Sequence, residues 1–412
     1  MPTRHKFTIL KQVMEKIPSY LVGKLARKHG CDKKSRTFTP WSHVVTMVYA
    51  HLAHSLGLND ISDTMRHHSG ALSTIRGATA PSRNGLSHAN KVRSAAMAEE
   101  LFWETLSEIQ KVYPEFGMGR KYCGFPARFK RIINVIDSTT IKLVANCMDW
   151  AKHRRRKAAA KCHMRLDLQT FLPRFAVVKT AGTHDSKEAR ALCADIRSGE
   201  IVVFDKAYID FVHLKDLTDR EVFWVSRAKD NMSFTVVKRN KRKGNVKKDV
   251  IIRLKGYKAR DAYPETMRMI TARVEVDGKM VVLTFLSNNM EWSASSICDL
   301  YKGRWGIEVF FKQLKQTLQL GDFLGYSENA VRWQVWTALL TYVLLRLISY
   351  IGKWKDSFAR LFTAIRGVLW SRYDLLSLLE SCCGTAKAPP RMILSVEQLY
   401  IPGFELKNCG IA

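Results

Sequence analysis

The sequence predicts an α/β protein whose sheet-forming middle is bracketed by helical segments, and three observations carry that expectation. The first is helical periodicity from residue 1 to about 118, where "WSHVVTMVYAHLAHSL" and "AAMAEELFWETLSEIQKVY" repeat apolar residues at three and four. The second is a change near residue 131 to β-branched runs that alternate with helix-forming stretches. The third is a block at about 230–290 whose segments alternate apolar and polar residues, as half-buried strands do.

Taken in order, "RNGLSHANKVR" predicts a short polar helix capped by Ser87, carrying His88, Asn90, Lys91 and Arg93. Such a helix suits a DNA backbone, although short capped helices are common without that role. "RIINVIDSTTIKL", "KCHMRLDLQ" and "RFAVVKTAG", the last opening after Pro173, are expected strands. "THDSKEARALCADI" begins a helix with Asp185 and Glu188 spaced as a capping box, which makes His184 a helix-start residue rather than a metal ligand. The strand "EIVVFD", a short helix and the strand "EVFWVSR" complete a mixed sheet. Past Arg227 the strands "SFTVVKRN", "VIIRLKG", "MRMITARVEVDG" and "KMVVLTFLSNN" form a β-rich insertion, with Asp277-Gly278 as a hairpin turn. Helices then run from "YKGRWGIEVFFKQLKQ" to about residue 380, and the tail after "TAKAPPR" has too little pattern to assign. The expected divisions are a helical N-terminal part at 1–118, an α/β part at 119–326 and a helical C-terminal part at 327–412.

Charge narrows the partner. With 67 Lys and Arg against 37 Asp and Glu in 412 residues, the formal charge is +30, which points to a polyanion and above all to nucleic acid. A membrane role is not expected: "VWTALLTYVLL" is too short to span a bilayer and reads as a core helix. "MPTRHKFTIL" lacks the apolar core and cleavage site of a signal peptide. Nine cysteines without a CxxC pair argue against a disulfide scaffold or a zinc cluster, so a reduced, cytoplasmic protein is expected, with Cys382 and Cys383 ordinary helix residues. Two basic runs, "KHRRRKAAAK" at 152–161 between expected strands and "KRNKRKGNVKK" at 238–248, read as tracks for phosphate backbone. Arg154, Arg155, Lys241 and Arg242 are their candidate DNA contacts.

Asp137 closes the apolar run "INVI" and Asp205 closes "IVVF". A carboxylate at the end of a buried strand is costly unless paired or bound to a cation, and ligands of open α/β sheets collect at strand ends. A third carboxylate, Glu308, lies on the expected helix at 301–316. At about 100° per residue, Tyr301, Arg304, Glu308, Lys312 and Lys315 share one arc, while Ile307, Phe310, Phe311 and Leu314 face a core. A Glu308–Lys312 surface pair would be worth only about 0.3–0.5 kcal/mol and leaves Tyr301 and Arg304 unexplained.

Y-x2-R-x3-E-x6-K, present as Tyr301, Arg304, Glu308 and Lys315, resembles the signature of DDE transposases of the insertion-sequence-four family. "VIDSTTI" and "VVFDKAYIDF" resemble its two Asp blocks, and "FWVSRAKDN", "KTAGTHDSKEA" and "FLGYSENAVRWQVWTALLTYVL" further segments, so the likeness runs over roughly residues 35–375. Lys206 and Ala207 stand where the family often has Arg-Gly, so Ala207 would have to adopt a turn usually given to glycine.

The resemblance implies an RNase H-like catalytic domain in which Asp137, Asp205 and Glu308 hold two Mg²⁺ or Mn²⁺ ions, with Asp137 bridging them. It implies phosphate contacts from Tyr301, Arg304, Lys312 and Lys315. It also implies cut-and-paste transposition of double-stranded DNA, with a hairpin intermediate at terminal inverted repeats and a homodimer pairing two ends. Trp292 and Trp305 are candidates for stacking an extruded base, and either could instead be core. The competing readings are a DNA-binding protein without catalysis and another RNase H-like endonuclease.

Overall fold

The computed structural model describes residues 2–33, 35–55, 57–117, 129–143, 152–154, 157–180, 185–276, 279–318 and 324–382. Seven helices come first: α1 (Ile9–Met14), α2 (Leu21–Lys28), α3 (Pro40–Ala53), α4 (Leu58–His67), α5 (Ser69–Ser73), α6 (Arg83–Val92) and α7 (Ala95–Val112). Thr39 caps α3 through the Ser42 amide, with Pro40 in the first turn, where its missing N–H is no loss.

The polar helix α6 differs from expectation. Its cap is Ser82, whose hydroxyl accepts from the Gly85 amide at 3.0 Å, a turn before Ser87. That start turns Leu86, Ala89 and Asn90 inward. Asn90 meets His43 Nε2 at 2.8 Å, and Arg93 donates to the Thr39 carbonyl at 3.1 Å, so both hold the helices together. His88 and Lys91 remain exposed.

The middle of the chain builds β1 (Ile133–Leu143), β2 (Lys152–Arg154), β3 (Lys157–Asp167), β4 (Pro173–Thr180), α8 (Asp185–Cys193), β5 (Ile201–Phe204), α9 (Phe211–Asp219) and β6 (Phe223–Arg227). The block that follows supplies β7 (Phe234–Arg239), β8 (Val246–Leu254), α10 (Tyr257–Ala262), β9 (Met267–Val276) and β10 (Lys279–Ser287). Helix α10 had no expectation: six residues are too few to show a helical period. The basic run at 152–161 falls on β2 and the start of β3 rather than between strands, and Arg155 lies outside the described residues. So do His184 and the Asp277-Gly278 turn, although β9 and β10 pair Val276 with Lys279 as a hairpin would.

The ten strands among the described residues form one sheet in the order β2-β3-β1-β5-β6-β10-β9-β8-β7, with β4 also on β3. Strands β1, β5 and β6 are parallel, β3 is antiparallel to β1, and β4 is antiparallel to β3. Because β10 pairs antiparallel with β6, the insertion extends the main sheet. The pleat sorts side chains onto two faces. Val135, Ile201, Val203 and Val225 enter one core, which is continuous with the N-terminal helices. Ile136, Val202, Phe204 and Trp224 enter the other, under α8 and α9.

The chain continues with α11 (Ala294–Gly303), α12 (Trp305–Lys312), a π-helical turn (Gln313–Thr317), α13 (Glu328–Ile351), α14 (Phe358–Arg366) and α15 (Leu375–Cys382). Helix α13 is long and apolar enough to cross a membrane, but 83% of its most apolar 18-residue stretch is buried inside the protein. It packs against α3, α6, α7 and α14, which makes it the axis of the helical body. Cys31, Cys162, Cys193 and Cys298 are buried free thiols, and Cys383 lies outside the described residues.

Three buried histidines carry a pH consequence. Burial pushes His43 down to about 3 and His51 and His213 down to about 4, from an ordinary 6.5. Below pH 6.5 the unfolded chain takes up protons on these rings and the folded chain does not, so stability falls as pH falls. Each ring is expected to remove about 2 kcal/mol by pH 5. Asp137, raised to about 6, works the other way over the same range, one group against three. The thermal midpoint should therefore drop from pH 7 to pH 5, and His51→Gln should flatten that dependence.

Candidate active site

Strand parity sets the first two carboxylates. Ile133 and Val135 on β1, and Ile201 and Val203 on β5, face the helical core, so Asp137 and Asp205 are next in each series on that same face. The last β1–β5 pair is Ile136 with Phe204, after which β5 ends. Asp137 and Asp205 thus stand side by side where two parallel strands part. Helix α11 crosses that face over β5, β6 and β10, and α12 packs on β1.

The third carboxylate arrives with its neighbours. The Tyr301 hydroxyl donates to Asp205 Oδ1 at 2.9 Å, with its ring centred 4.9 Å from that of Phe285. Arg304 spans the other two: Nη1 donates to Asp137 Oδ2 and Nη2 to Glu308 Oε1, both at 2.6 Å. Asp137 Oδ1 accepts from the Ser138 amide at 2.8 Å. Lys315 Nζ donates to the Thr140 carbonyl at 2.9 Å, which ties the π turn to β1. Lys312 is exposed and makes no hydrogen bond or ion pair among the described residues; the partner of Glu308 lies one turn back, at Arg304.

One continuous helix was expected over 301–316, and the structure divides it. The division falls at Arg304, between Gly303 and Gly306, and the π turn changes the phase again after Lys312. A side chain on Gly306 would bring Cβ to 2.7 Å from Leu168 Cδ1 and 3.4 Å from Phe171 Cζ, so its absence lets α12 approach the β3–β4 connection. The glycines in "YKGRWG" were the available signal for the break.

Of the two tryptophans, Trp292 packs between Phe129 and Phe223, with ring centres 5.3 and 5.0 Å away. Trp305 is 51% exposed beside Arg304. Ala207 sits in a 3-10 turn, Lys206–Tyr208, without a positive φ, so no glycine conformation is required there. Lys241 and Arg242 lie exposed on the β7–β8 connection. The pairings Val246 with Ala272, Ala272 with Leu283 and Phe285 with Arg227 place that connection at the same end of the sheet as Asp205. Arg154 lies on β2. A cavity of about 730 Å³, lined by Arg253, Lys255, Tyr257 and Arg260 among others, opens at the opposite end.

Burial pushes Asp137 up to about 6; Arg304 and the Ser138 amide pull it down, while Glu308 and Asp205 add to the rise. Burial works against charge on Arg304, yet Asp137, Tyr301 and Glu308 hold its basicity above the ordinary value. Tyr301 is pushed up to about 12 by burial and by Asp205. Burial therefore outweighs the guanidinium at Asp137 even with an ion pair of 2.6 Å.

Among the described residues no group of three or more His, Cys, Asp and Glu side chains is drawn together closely enough for a metal ion. The geometry gives the reason: Arg304 stands between Asp137 and Glu308 as a resident cation. The donor set itself, carboxylate oxygens only, suits a hard divalent ion and not zinc.

A family model described as a transposase DDE domain matches residues 128–344, a span that holds Asp137, Asp205 and Glu308 and covers over half of the chain. The chain belongs to the DDE transposase family. It is a DNA-cleaving enzyme of the insertion-sequence type, and this family of transposases generally uses divalent metal ions. A second model, described as a domain of unknown function (DUF4372), matches residues 5–75, from α1 into α5 and beyond.

A Sinorhizobium fredii protein whose name reads as a transposase, y4zB, is 29% identical over 304 residues, 72% of this chain and 80% of its own. A Geobacillus stearothermophilus protein named as a probable transposase for insertion sequence element IS5377 is 30% identical over 223 residues, 53% of this chain and 57% of its own. A piggyBac transposase synaptic complex with hairpin DNA aligns over 93% of this chain and 82% of that one, at 12% identity and a TM-score of 0.41, too low to argue likeness of fold.

The close approach at Gly306 of this transposase gives a direct test. Gly306→Val should lower stability by about 1–3 kcal/mol through overpacking against Leu168 and Phe171, as read by urea denaturation.

Proposed function

We propose that the chain cuts and joins DNA at the terminal inverted repeats of its own element, with Asp137, Asp205 and Glu308 as the metal ligands. The observation that carries this reading is the convergence of those carboxylates, with Tyr301 and Arg304, where β1 and β5 part. The strand order supports an RNase H-like domain: three antiparallel strands, β4-β3-β1, continue through the parallel β5 and β6. Asp137, Asp205 and Glu308 would hold Mg²⁺ or Mn²⁺, two ions by the family's pattern, and the metal would supply charge neutralisation on the attacking and leaving oxygens of a phosphodiester.

The chain's own residues would do the remaining work. Arg304 offers a planar fork for a phosphate, which a lysine cannot reproduce, and Tyr301 and Lys315 hold the same cut end from either side. The 3′-hydroxyl of a cut end retained in this way would attack a phosphodiester of the opposite strand, forming a hairpin and releasing the flanking DNA; water would reopen the hairpin, and the regenerated 3′-hydroxyl would join target DNA. Trp305, exposed next to Arg304, is the better placed tryptophan to stack an extruded base, since Trp292 is enclosed by Phe129 and Phe223. Lys241 and Arg242 would extend the phosphate track from the carboxylates along the end of the sheet, and Arg154 and Arg155 would add a second track. A homodimer would pair two transposon ends, and the nucleoid would be its place of work.

Asp137→Asn is expected to abolish Mg²⁺- or Mn²⁺-dependent nicking of a duplex carrying the element's ends, with binding of that duplex retained. Unchanged nicking would overturn the assignment, and absence of strand-transfer products after cleavage would favour a plain endonuclease. Wild-type cleavage should rise as pH passes upward through about 6, because protonated Asp137 cannot ligate a metal. Replacing Lys241 and Arg242 with Ala should weaken binding to all duplexes alike and reduce the slope of log K against log salt by about two.

A further inference from the structure

We infer that Arg304 is a displaceable counter-cation: its guanidinium keeps Asp137 and Glu308 apart from metal until DNA phosphate draws it away, so that metal loading and DNA binding promote each other. The inference rests on the reading of the carboxylates as metal ligands.

Three observations support it. Both ends of the Arg304 fork are engaged, at 2.6 Å each, with oxygens that a metal would need. A divalent ion and Arg304 therefore compete for the same atoms. The Nε of Arg304 is buried without a hydrogen-bond partner among the described residues. A phosphate taken by the Nε side of the fork would satisfy that donor, which the two carboxylates leave unused. Finally, Arg304 occupies the joint between α11 and α12, just after Gly303, rather than the interior of either helix.

The consequence is thermodynamic. A ligand that removes Arg304 from the carboxylates helps the metal, and by reciprocity the metal helps that ligand by the same factor. The protein alone should be a poor metal binder, as befits an enzyme whose nuclease chemistry is wanted only on bound DNA. Arg304 acts here as a positioning residue, through the carboxylates it holds.

The test is Mn²⁺ binding to the full chain, followed by the loss of the free-ion EPR signal, with and without a generic duplex. Without DNA, Arg304→Gln should bind Mn²⁺ about tenfold more tightly than wild type or better, within the usual range of coupling between sites. Duplex should raise Mn²⁺ affinity in the wild type and have little effect in Arg304→Gln. Arg304→Lys, which keeps the charge but can hold only one carboxylate, should fall between the two and serves if Arg304→Gln does not fold. Equal or weaker Mn²⁺ binding by the variants, or an undiminished effect of duplex, would overturn the switch. Undiminished Mn²⁺ binding by Asp137→Asn would instead show that the ion sits elsewhere, overturning the ligand reading and the switch together.

Discussion

The arrangement that the rest of the structure serves is a fork of two hydrogen bonds, from one guanidinium to Asp137 and Glu308, on the face of a buried sheet. Parity and register bring Asp137 and Asp205 side by side, and α12 adds Glu308, so three partly buried carboxylates gather around one guanidinium and one phenol. Without a cation such a group would repel itself and resist burial. Arg304 relieves this only in part, since Asp137 remains raised to about 6. The site is therefore held together by the positive charge of Arg304.

That arrangement depends on a rigid support, and the support is helical. Helix α13 runs through a core shared by helices from both ends of the chain. His51 on α3 reaches the Leu318 carbonyl, just past the π turn, and the Gln334 carbonyl on α13, both at 3.1 Å. The first helices are thus tied directly to the segment that positions Lys315. Side chains of the N-terminal helices and of α12 belong to one core cluster.

Much of this was legible in the sequence because periodicity and residue type carried it. The four insertion strands, the buried nature of 335–345 and the place of Asp205 at the end of β5 followed from apolar patterning, whereas Asp137, expected at a strand end, lies inside β1, which runs on to Leu143 against β3. Of the spaced residues Tyr301, Arg304, Glu308 and Lys315, the first three meet Asp137 and Asp205, while Lys315 reaches the Thr140 carbonyl on β1. What escaped depends on contacts between distant segments. No local pattern shows that β10 pairs with β6 and so joins the insertion to the main sheet. The inward turn of Asn90 and Arg93 is set by His43, Phe38 and Thr39, residues about fifty positions earlier. Glu308 and Lys312 do share one turn of α12, but Glu308 pairs with Arg304 instead, and Lys312 is left exposed.

The sheet ends at β7, whose outer side has no strand against it among the described residues and whose side chains from Thr235 to Arg239 are exposed. An open edge of that kind is a template on which a second chain can add a strand. Lys238 and Arg239 on the strand, with Lys241, Arg242 and Lys243 just beyond it, give two approaching copies the same sign of charge. The basic run thus protects the protein from self-association for as long as it is bare. Neutralising it with a polyanion would lift that protection, which links the solubility of the chain to whether its charge is already spoken for.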